Sequence, residues 1–130
     1  SVIFSNFLIN IKCMNNFYSV HLLVEFWDCK SETLDDHDLL VRSLEKAAKL
    51  SNATILNISS HKFSPVGVTA IALLAESHLS IHTWPELNYA AIDVFTCGEK
   101  MDPHKTVTVL KEILQPSQVD LQEITRGVKI

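Results

Sequence analysis

The sequence lacks a basic patch, a long apolar run and a set of paired cysteines, and each absence excludes a class of protein. Its net charge is −4 and its lysines are scattered, which argues against nucleic acid as the main partner. No apolar stretch is long enough to span a bilayer, so we expect no membrane partner. Cys13, Cys29 and Cys97 are far apart and odd in number, which fits a reducing cytoplasm better than a disulfide scaffold.

What remains is the composition of one ordinary domain. Hydrophobic residues make up 47% of the 130-residue chain, which is ample for a single core. The apolar start lacks the basic residues and cleavage site of a signal peptide, and Met14 is a plausible start, so residues 1–16 are expected to be an N-terminal extension. Residues 17–130 then form the domain.

Hydrophobic periodicity predicts six strands and two helices. The strands are expected at 18–28, 53–63, 67–75, 78–83, 88–96 and 119–130, and the helices at 36–50 and 103–115. The nearly continuous apolar strand at 67–75 is expected to be buried on both faces, and 29–34 to be a polar connection. This order predicts an α+β fold, a two-layer α/β sandwich whose largely antiparallel sheet carries both helices on one face.

The first strand indicates what covers the other face of the sheet. His21, Leu23 and Trp27 alternate with the core residues of this strand and are too apolar for a face in plain contact with solvent. We therefore expect a homodimer.

A dense group of reactive side chains separates two apolar strands in the middle of the chain. The stretch 75–86 reads A-E-S-H-L-S-I-H-T-W-P-E. Each polar group placed between buried strands needs a partner, and functional sites are where such local costs are expected.

Three interpretations of this stretch compete. His78 and His82 share a strand or helix face and could bind zinc with Cys97 or Glu86, although this signal is much weaker than a pair of C-x-x-C motifs. Ser77 or Cys97 could instead be a nucleophile activated by His82. In the third interpretation these are structural residues, namely satisfied histidines and a buried cysteine.

The Glu76-Ser77 pair favours a further chemistry, in which the chain cuts itself. A serine hydroxyl can attack the carbonyl that precedes it and turn the peptide bond into an ester. A base can then remove the serine α-proton, which eliminates the ester and leaves a pyruvoyl group at the new chain end. The reaction requires a base, an oxyanion donor and a strained turn.

The segment 67–98, G-V-T-A-I-A-L-L-A-E-S-H-L-S-I-H-T-W-P-E-L-N-Y-A-A-I-D-V-F-T-C-G, resembles the short prokaryotic class of the S-adenosylmethionine decarboxylase family. These are the pyruvoyl enzymes of spermidine synthesis. The similarity extends to H-L-L-V-E-F-W-D-C near the start and covers about residues 20–115. Its most specific part is E-S-H-x-x-x-H-T-W-P-E followed by the cysteine.

The resemblance implies a role for each matched catalytic residue. The Glu76–Ser77 bond is the self-cleavage site, and Ser77 becomes the pyruvoyl cofactor. His82 is the base of processing, and Cys97 is the acid that returns a proton to the substrate carbon. Thr69 stands where the family usually has serine, so the hydroxyl is kept with a stiffer rotamer.

The resemblance also implies the residues that bind substrate. Phe63 and Trp84 match the aromatic positions that sandwich adenine, and Glu86 matches a carboxylate that binds ribose hydroxyls. Aromatic faces suit both a flat adenine and a sulfonium cation. His61 and His78 lie nearby without an assigned role.

The implied protein is a cytoplasmic decarboxylase of S-adenosylmethionine, self-cleaved into 1–76 and 77–130, with no metal. Its pyruvoyl group would form a Schiff base with the substrate amine and act as an electron sink. A pyruvoyl decarboxylase of arginine or ornithine is the alternative, which the adenine-type aromatic residues disfavour. A catalytically dead partner subunit is disfavoured because all the machinery residues are present.

One feature of the motif conflicts with a regular strand. Ser77 and His82 are an odd number of residues apart, so an ideal strand directs their side chains to opposite faces. We expect a β-bulge, or the freedom of a cut chain end, to bring them together.

Overall fold

The computed structural model describes residues 19–97 and 99–127, which form an antiparallel sheet with helices packed on one face. The strands are β1 (Ser19–Trp27), β2 (Ile55–Lys62), β3 (Val68–Leu74), β4 (Ser77–Trp84), β5 (Tyr89–Cys97) and β6 (Gln118–Arg126). The helices are α1 (Ser31–Leu34), α2 (His37–Leu50) and α3 (Pro103–Leu114), and a 3₁₀ turn spans Pro85–Leu87. The extension expected at 1–16 lies outside the described residues.

The strand order in the sheet is β2-β3-β4-β5-β1-β6. Every neighbouring pair is antiparallel, which confirms the predicted α+β sandwich. The last strand, β6, lies at one edge of the sheet. β4 therefore lies inside the sheet, between β3 and β5. Within 19–97 and 99–127, no helix has the length and apolarity needed to cross a bilayer.

The core lies between the sheet and the layer formed by α2 and α3, because both elements are amphipathic. Every second side chain of the inner strands points into it, and the two helices contribute one apolar stripe each. The helical residues that fill it are Leu40, Leu44, Ala47, Ala48, Val107, Leu110 and Leu114. Asp36 and Asp102 accept hydrogen bonds from Leu39 N–H and Lys105 N–H, so α2 and α3 each begin at a capped end.

The structure corrects the sequence prediction at two places. The segment 29–34 contains the short helix α1, whose Leu34 is fully buried, rather than only a polar connection. The expectation that β3 is buried on both faces is wrong, since Ile71 and Leu73 are 42% and 52% exposed. Thr69 is the single polar residue of this strand on its uncovered face, and the small and branched apolar residues that follow it do not distinguish the two faces in the sequence.

The face of the sheet that carries no helix, called the open face below, exposes large apolar side chains on several strands. They are Trp27, Ile71, Leu73, Trp84 and Ile124. Isolated exposed apolar residues are common, but a group spread across one sheet face is typical of an interaction surface. His21 and Leu23 lie on this face as predicted, half-buried among their neighbours.

Asp35, which follows α1, stabilises the β2–β3 turn through two contacts. Its Oδ1 accepts a 2.9 Å hydrogen bond from Gly67 N–H and lies 2.9 Å from Lys62 Nζ. Gly67 has φ +112°, and a Cβ there would lie 3.2 Å from the Thr83 carbonyl oxygen, so the turn requires glycine. The hydrogen bond from Lys62, and then the one from Gly67, hold the pKa of Asp35 below its usual range.

We predict that Asp35→Ala lowers the melting temperature at neutral pH, because it removes both contacts. A carboxylate with a lowered folded-state pKa stabilises the protein above the ordinary aspartate value of about 3.9, and this contribution is lost as the pH falls through the lowered value. The melting-temperature difference between wild type and variant should therefore shrink in acid. A difference of constant size down to about pH 2 would contradict this coupling.

Candidate active site

The structure places the sequence-predicted site residues in two groups at opposite ends of the sheet. The first, called the Ser77 end, contains Glu76 and Ser77 at the start of β4 and Cys97 at the end of β5. The second, called the His82 end, contains the other predicted residues, which are Phe63, Thr69, His82, Trp84 and Glu86.

At the Ser77 end, the carbonyl group of Glu76 is held by β5. Cys97 N–H donates a 3.2 Å hydrogen bond to the Glu76 carbonyl oxygen. The Cys97 Sγ lies 3.2 Å from the same oxygen. A main-chain donor aimed at a carbonyl oxygen stabilises the negative charge that develops there under nucleophilic attack. The arrangement therefore suits attack on the Glu76–Ser77 peptide bond.

The Glu76 side chain anchors the residue before this bond. Its Oε1 accepts a 2.9 Å hydrogen bond from Thr54 N–H, and Ala75 N–H donates to the Thr54 carbonyl oxygen at 2.9 Å. Lys100 Nζ lies 3.8 Å from the other carboxylate oxygen, and the Glu76 side chain is only 8% exposed. Thr54 and Lys100 were not predicted from the sequence, because both reach the site from other segments of the chain.

Ser77 has a strained backbone. Its φ is 157°, at the edge of a region that is favourable essentially only for glycine. It is also buried, and it shares the strand parity of Leu79 and Ile81, whose side chains lie in the core. Strain stored at one peptide bond, next to a held carbonyl, is a typical feature of functional sites.

At the His82 end, the imidazole and the expected hydroxyl group meet. Thr69 and His82 are direct partners in the β3–β4 ladder, and Thr69 Oγ1 lies 3.0 Å from His82 Nδ1. A hydroxyl on one ring nitrogen fixes the orientation of the ring and leaves the other nitrogen for proton transfer.

The His82 end also carries exposed aromatic rings. Phe63 follows β2 and contacts the His61 ring edge-on at 4.6 Å between centroids. Trp84 stacks on Tyr89 at 5.3 Å, and Tyr89 stacks on Trp27 at 4.4 Å. Phe63 and Trp84 both remain exposed, so their faces are available to a flat ligand.

Ser77 and His82 do not meet within one protomer. The pairing of β4 with β3 and with β5 is unbroken from Ser77 to His82, so the expected β-bulge is wrong. Five residues of strand span about 16 Å, and the two side chains point to opposite faces. A hydrogen bond between them is therefore excluded in this conformation.

The zinc interpretation finds no support in the described part of the chain. His78 and His82 share the open face, but four residues of strand separate them by about 13 Å. No group of three histidine, cysteine or acidic residues within 19–97 and 99–127 could hold a metal ion. His78 instead packs against the rings of His21 and Phe95.

A polar cluster on the open face was not predicted. His21 Nε2 lies 3.0 Å from Asp93 Oδ1, and Ser80 Oγ donates to the other carboxylate oxygen at 3.4 Å. Nearby, burial and then the charges of Asp120 and Asp93 raise the pKa of Glu25. Strand alternation placed His21 on this face, but its partner is distant in sequence and depends on a register that only the folded sheet defines.

Cys29 and Cys97, the two cysteines that the structure describes, differ in their oxidation state. Cys29 is free and buried, and burial followed by the Asp28 charge raises its pKa to about 11, which keeps it protonated. Cys97 is disulfide-bonded in this structure, contrary to the sequence expectation of reduced cysteines. Any role of Cys97 as a proton donor therefore belongs to its reduced form.

The fold is an α+β sandwich. Its candidate site has a strained Glu-Ser peptide bond at the start of an inner strand and a hydroxyl–histidine pair at the far end of that strand. A family model described as S-adenosylmethionine decarboxylase matches residues 20–127. The chain belongs to this family.

The similar proteins come from both archaea and bacteria. An S-adenosylmethionine decarboxylase proenzyme of Methanococcus maripaludis strain C5 is 48% identical over 108 residues, which is 83% of this chain and 88% of the relative. A proenzyme of the same name from Thermosipho africanus is 47% identical over 82% of each chain. The crystal structure of the adenosylmethionine decarboxylase from Aquifex aeolicus VF5 superposes with a TM-score of 0.82, at 32% identity, and covers 88% of this chain and 94% of that one.

Proposed function

We propose that this chain cuts itself between Glu76 and Ser77 to form a pyruvoyl group, and then decarboxylates S-adenosylmethionine. The observation that carries the proposal is the strained Ser77, whose preceding carbonyl receives the Cys97 N–H hydrogen bond. The name proenzyme, borne by relatives at 48% and 47% identity, supports it.

The first step is an acyl shift at the held carbonyl. Ser77 Oγ bonds to the Glu76 carbonyl carbon, the peptide C–N bond breaks, and the hydroxyl proton ends on the Ser77 nitrogen. The Cys97 N–H stabilises the oxyanion that develops between these events. Release of the backbone strain at Ser77 favours the ester, which offsets part of the cost of breaking an amide.

The second step is elimination of the ester. A base takes the Ser77 α-proton, the Cβ–Oγ bond breaks, and the Glu76 carboxylate leaves. The dehydroalanine that remains gains water and loses ammonia, and the new chain end is the pyruvoyl group. His82 is the base, with its ring oriented by the hydroxyl of Thr69.

His82 acts on the α-proton of Ser77 from a second copy of the chain, because the Ser77 side chain faces the helices and not the open face. One protomer keeps the two residues about 16 Å apart on opposite faces. In the proposed dimer the two open faces pack against each other, and the two-fold axis lies between them and perpendicular to β4. The Ser77 end of one copy then lies against the His82 end of the other. The exposed apolar side chains of the open face supply the driving force for this homodimer.

The same dimer completes the substrate site. Phe63 and Trp84 present exposed aromatic faces at the His82 end, where adenine and the sulfonium group would bind. Glu86, in the 3₁₀ turn beside Trp84, is exposed and suits the ribose hydroxyls. Arginine and ornithine contain no flat ring, so these aromatic residues favour S-adenosylmethionine over the alternative substrates.

The Ser77 end carries the groups that react with the substrate. A pyruvoyl carbonyl there serves as the electron sink when carbon dioxide leaves. Cys97, next to the cut bond, returns a proton to the substrate carbon, because a thiol is a much stronger acid than a hydroxyl and can be recharged from water. A reduced Cys97 fits a cytoplasmic location, and the product would supply the aminopropyl donor for spermidine synthesis.

We predict that purified wild-type protein separates into fragments 1–76 and 77–130, and that the second has a blocked N-terminus. Ser77→Ala removes the nucleophile, so this variant should remain whole. Intact-mass spectrometry of both proteins provides the measurement. A wild-type chain that stays in one piece after long incubation rejects the proposed cleavage.

We predict that Cys97→Ser, studied under reducing conditions, still cuts itself but turns over poorly. A hydroxyl is a much weaker acid than a thiol, so protonation of the substrate carbon should slow by about 100-fold or more. Protonation at the wrong carbon should convert the new chain end into alanine.

Carbon dioxide release and the mass of fragment 77–130 are followed together in this experiment. Cys29→Ser, which changes a buried cysteine at the opposite end of the sheet from the Glu76–Ser77 bond, provides the matched control and should retain wild-type turnover. Normal turnover of Cys97→Ser with an unchanged fragment mass would show that Cys97 is only a packing residue.

A further inference from the structure

Thr96 is buried, and its hydroxyl group has no hydrogen-bond partner in the part of the chain that the structure describes. The residue is 2% exposed, so solvent does not satisfy the hydroxyl either. Buried polar side chains are nearly always hydrogen-bonded, because an unpaired one loses its water without compensation. An exception of this kind calls for an explanation.

The other buried threonines do not share this feature. Thr83 Oγ1 donates to the Leu34 carbonyl oxygen at 2.7 Å, and Thr106 Oγ1 lies 2.6 Å from Ser51 Oγ. Both are buried, as Thr96 is, with Thr83 6% and Thr106 0% exposed. The fold therefore satisfies buried threonine hydroxyls elsewhere, and the unpaired state of Thr96 is specific to its position.

Thr96 lies directly opposite Ser77 in the antiparallel ladder of β4 and β5. Residues in such a pair project their side chains to the same face, with Cβ atoms about 5 Å apart, and their hydroxyl groups can hydrogen-bond across the strands. The next residue, Cys97, gives its N–H to the Glu76 carbonyl oxygen. Thr96 and Cys97, which are consecutive in β5, therefore lie beside Ser77 and Glu76, the two residues joined by the bond that is cut.

We propose that Thr96 is a positioning residue for self-cleavage. Its Oγ1 accepts a hydrogen bond from the Ser77 hydroxyl in the rotamer that directs Ser77 Oγ at the Glu76 carbonyl carbon. Thr96 neither gains nor loses a proton, since the hydroxyl proton of Ser77 passes to the Ser77 nitrogen when the C–N bond breaks. This inference rests on the proposed cleavage at Glu76–Ser77.

The unpaired hydroxyl in the uncut chain is consistent with this role. If another group already held the Thr96 hydroxyl, that hydrogen bond would have to break before Thr96 could orient Ser77. A hydroxyl left available in the uncut chain gains its partner only as Ser77 turns toward the carbonyl, which favours the reactive rotamer over the others.

The test compares Thr96→Val, which keeps the shape and removes the hydroxyl, with Thr96→Ser, which keeps the hydroxyl. Self-cleavage of Thr96→Val should slow by about tenfold or more, and Thr96→Ser should stay near the wild-type rate. The melting temperature of uncut Thr96→Val should not fall, because the lost hydroxyl had no partner. Thr96→Ala replaces valine in the comparison if Thr96→Val does not fold.

Thr106→Val provides the matched control, since it removes an equally buried hydroxyl that is bonded and lies on α3. It should show the opposite pattern, with a lower melting temperature and an unchanged cleavage rate. If Thr96→Val loses stability as Thr106→Val does while cleaving at the wild-type rate, Thr96 is a structural residue and the inference is wrong.

Hydroxylamine, which cuts esters, separates the two steps of cleavage. Thr96→Val forms the ester slowly, so hydroxylamine should not restore its cleavage. Rapid cutting of Thr96→Val by hydroxylamine would place Thr96 after ester formation and overturn the inference. The wild-type protein in the same experiment distinguishes the failures: an uncut wild type rejects the proposed cleavage itself, whereas a cut wild type with an equally fast Thr96→Val rejects only the role of Thr96.

Discussion

Side chains of a β-strand alternate between the two faces of the sheet, and β4 follows this rule without interruption from Ser77 to Trp84. The organisation of the site depends on this constraint. It turns Ser77 toward the helices and His82 toward the open face, while the extended strand separates them by about 16 Å. One protomer thus carries the Glu76–Ser77 bond at one end and a histidine–hydroxyl pair at the other, and in the proposed homodimer the two meet across a two-fold axis.

Two local energetic costs lie beside the Glu76–Ser77 bond, which is the proposed cleavage site. Ser77 adopts a backbone conformation that suits glycine, and Thr96 buries a hydroxyl without a partner among the described residues. The surrounding sheet offsets both costs: Glu76 is fixed through its carboxylate and its carbonyl, and β5 pairs regularly with β4 and β1. A rigid scaffold that holds one strained peptide bond is what an acyl shift without an external catalyst requires.

Much of the fold could be predicted from the sequence, since strand alternation and helix caps depend on neighbouring residues. The uncovered face of β3 could not, because Ile71 and Leu73 are as apolar as core residues and only the complete sheet shows which face the helices cover. The helix α1 was missed because its length is a single turn with one buried side chain. At the site, the Glu76-Ser77 motif was visible in the sequence, whereas Thr54, Lys100 and Thr96 approach from distant segments whose register is fixed only by folding.

The most direct measurement of the shared site uses two variants that cannot cut themselves. Ser77→Ala and His82→Ala chains are produced together with different tags, and mixed dimers are purified through both tags. The mixed dimer contains one complete site, formed by Ser77 of the His82→Ala chain and His82 of the Ser77→Ala chain. Mass spectrometry should find the His82→Ala chain cut into 1–76 and 77–130, while the Ser77→Ala chain remains whole. A His82→Ala chain that stays whole in the purified mixed dimer would contradict a site shared between two copies.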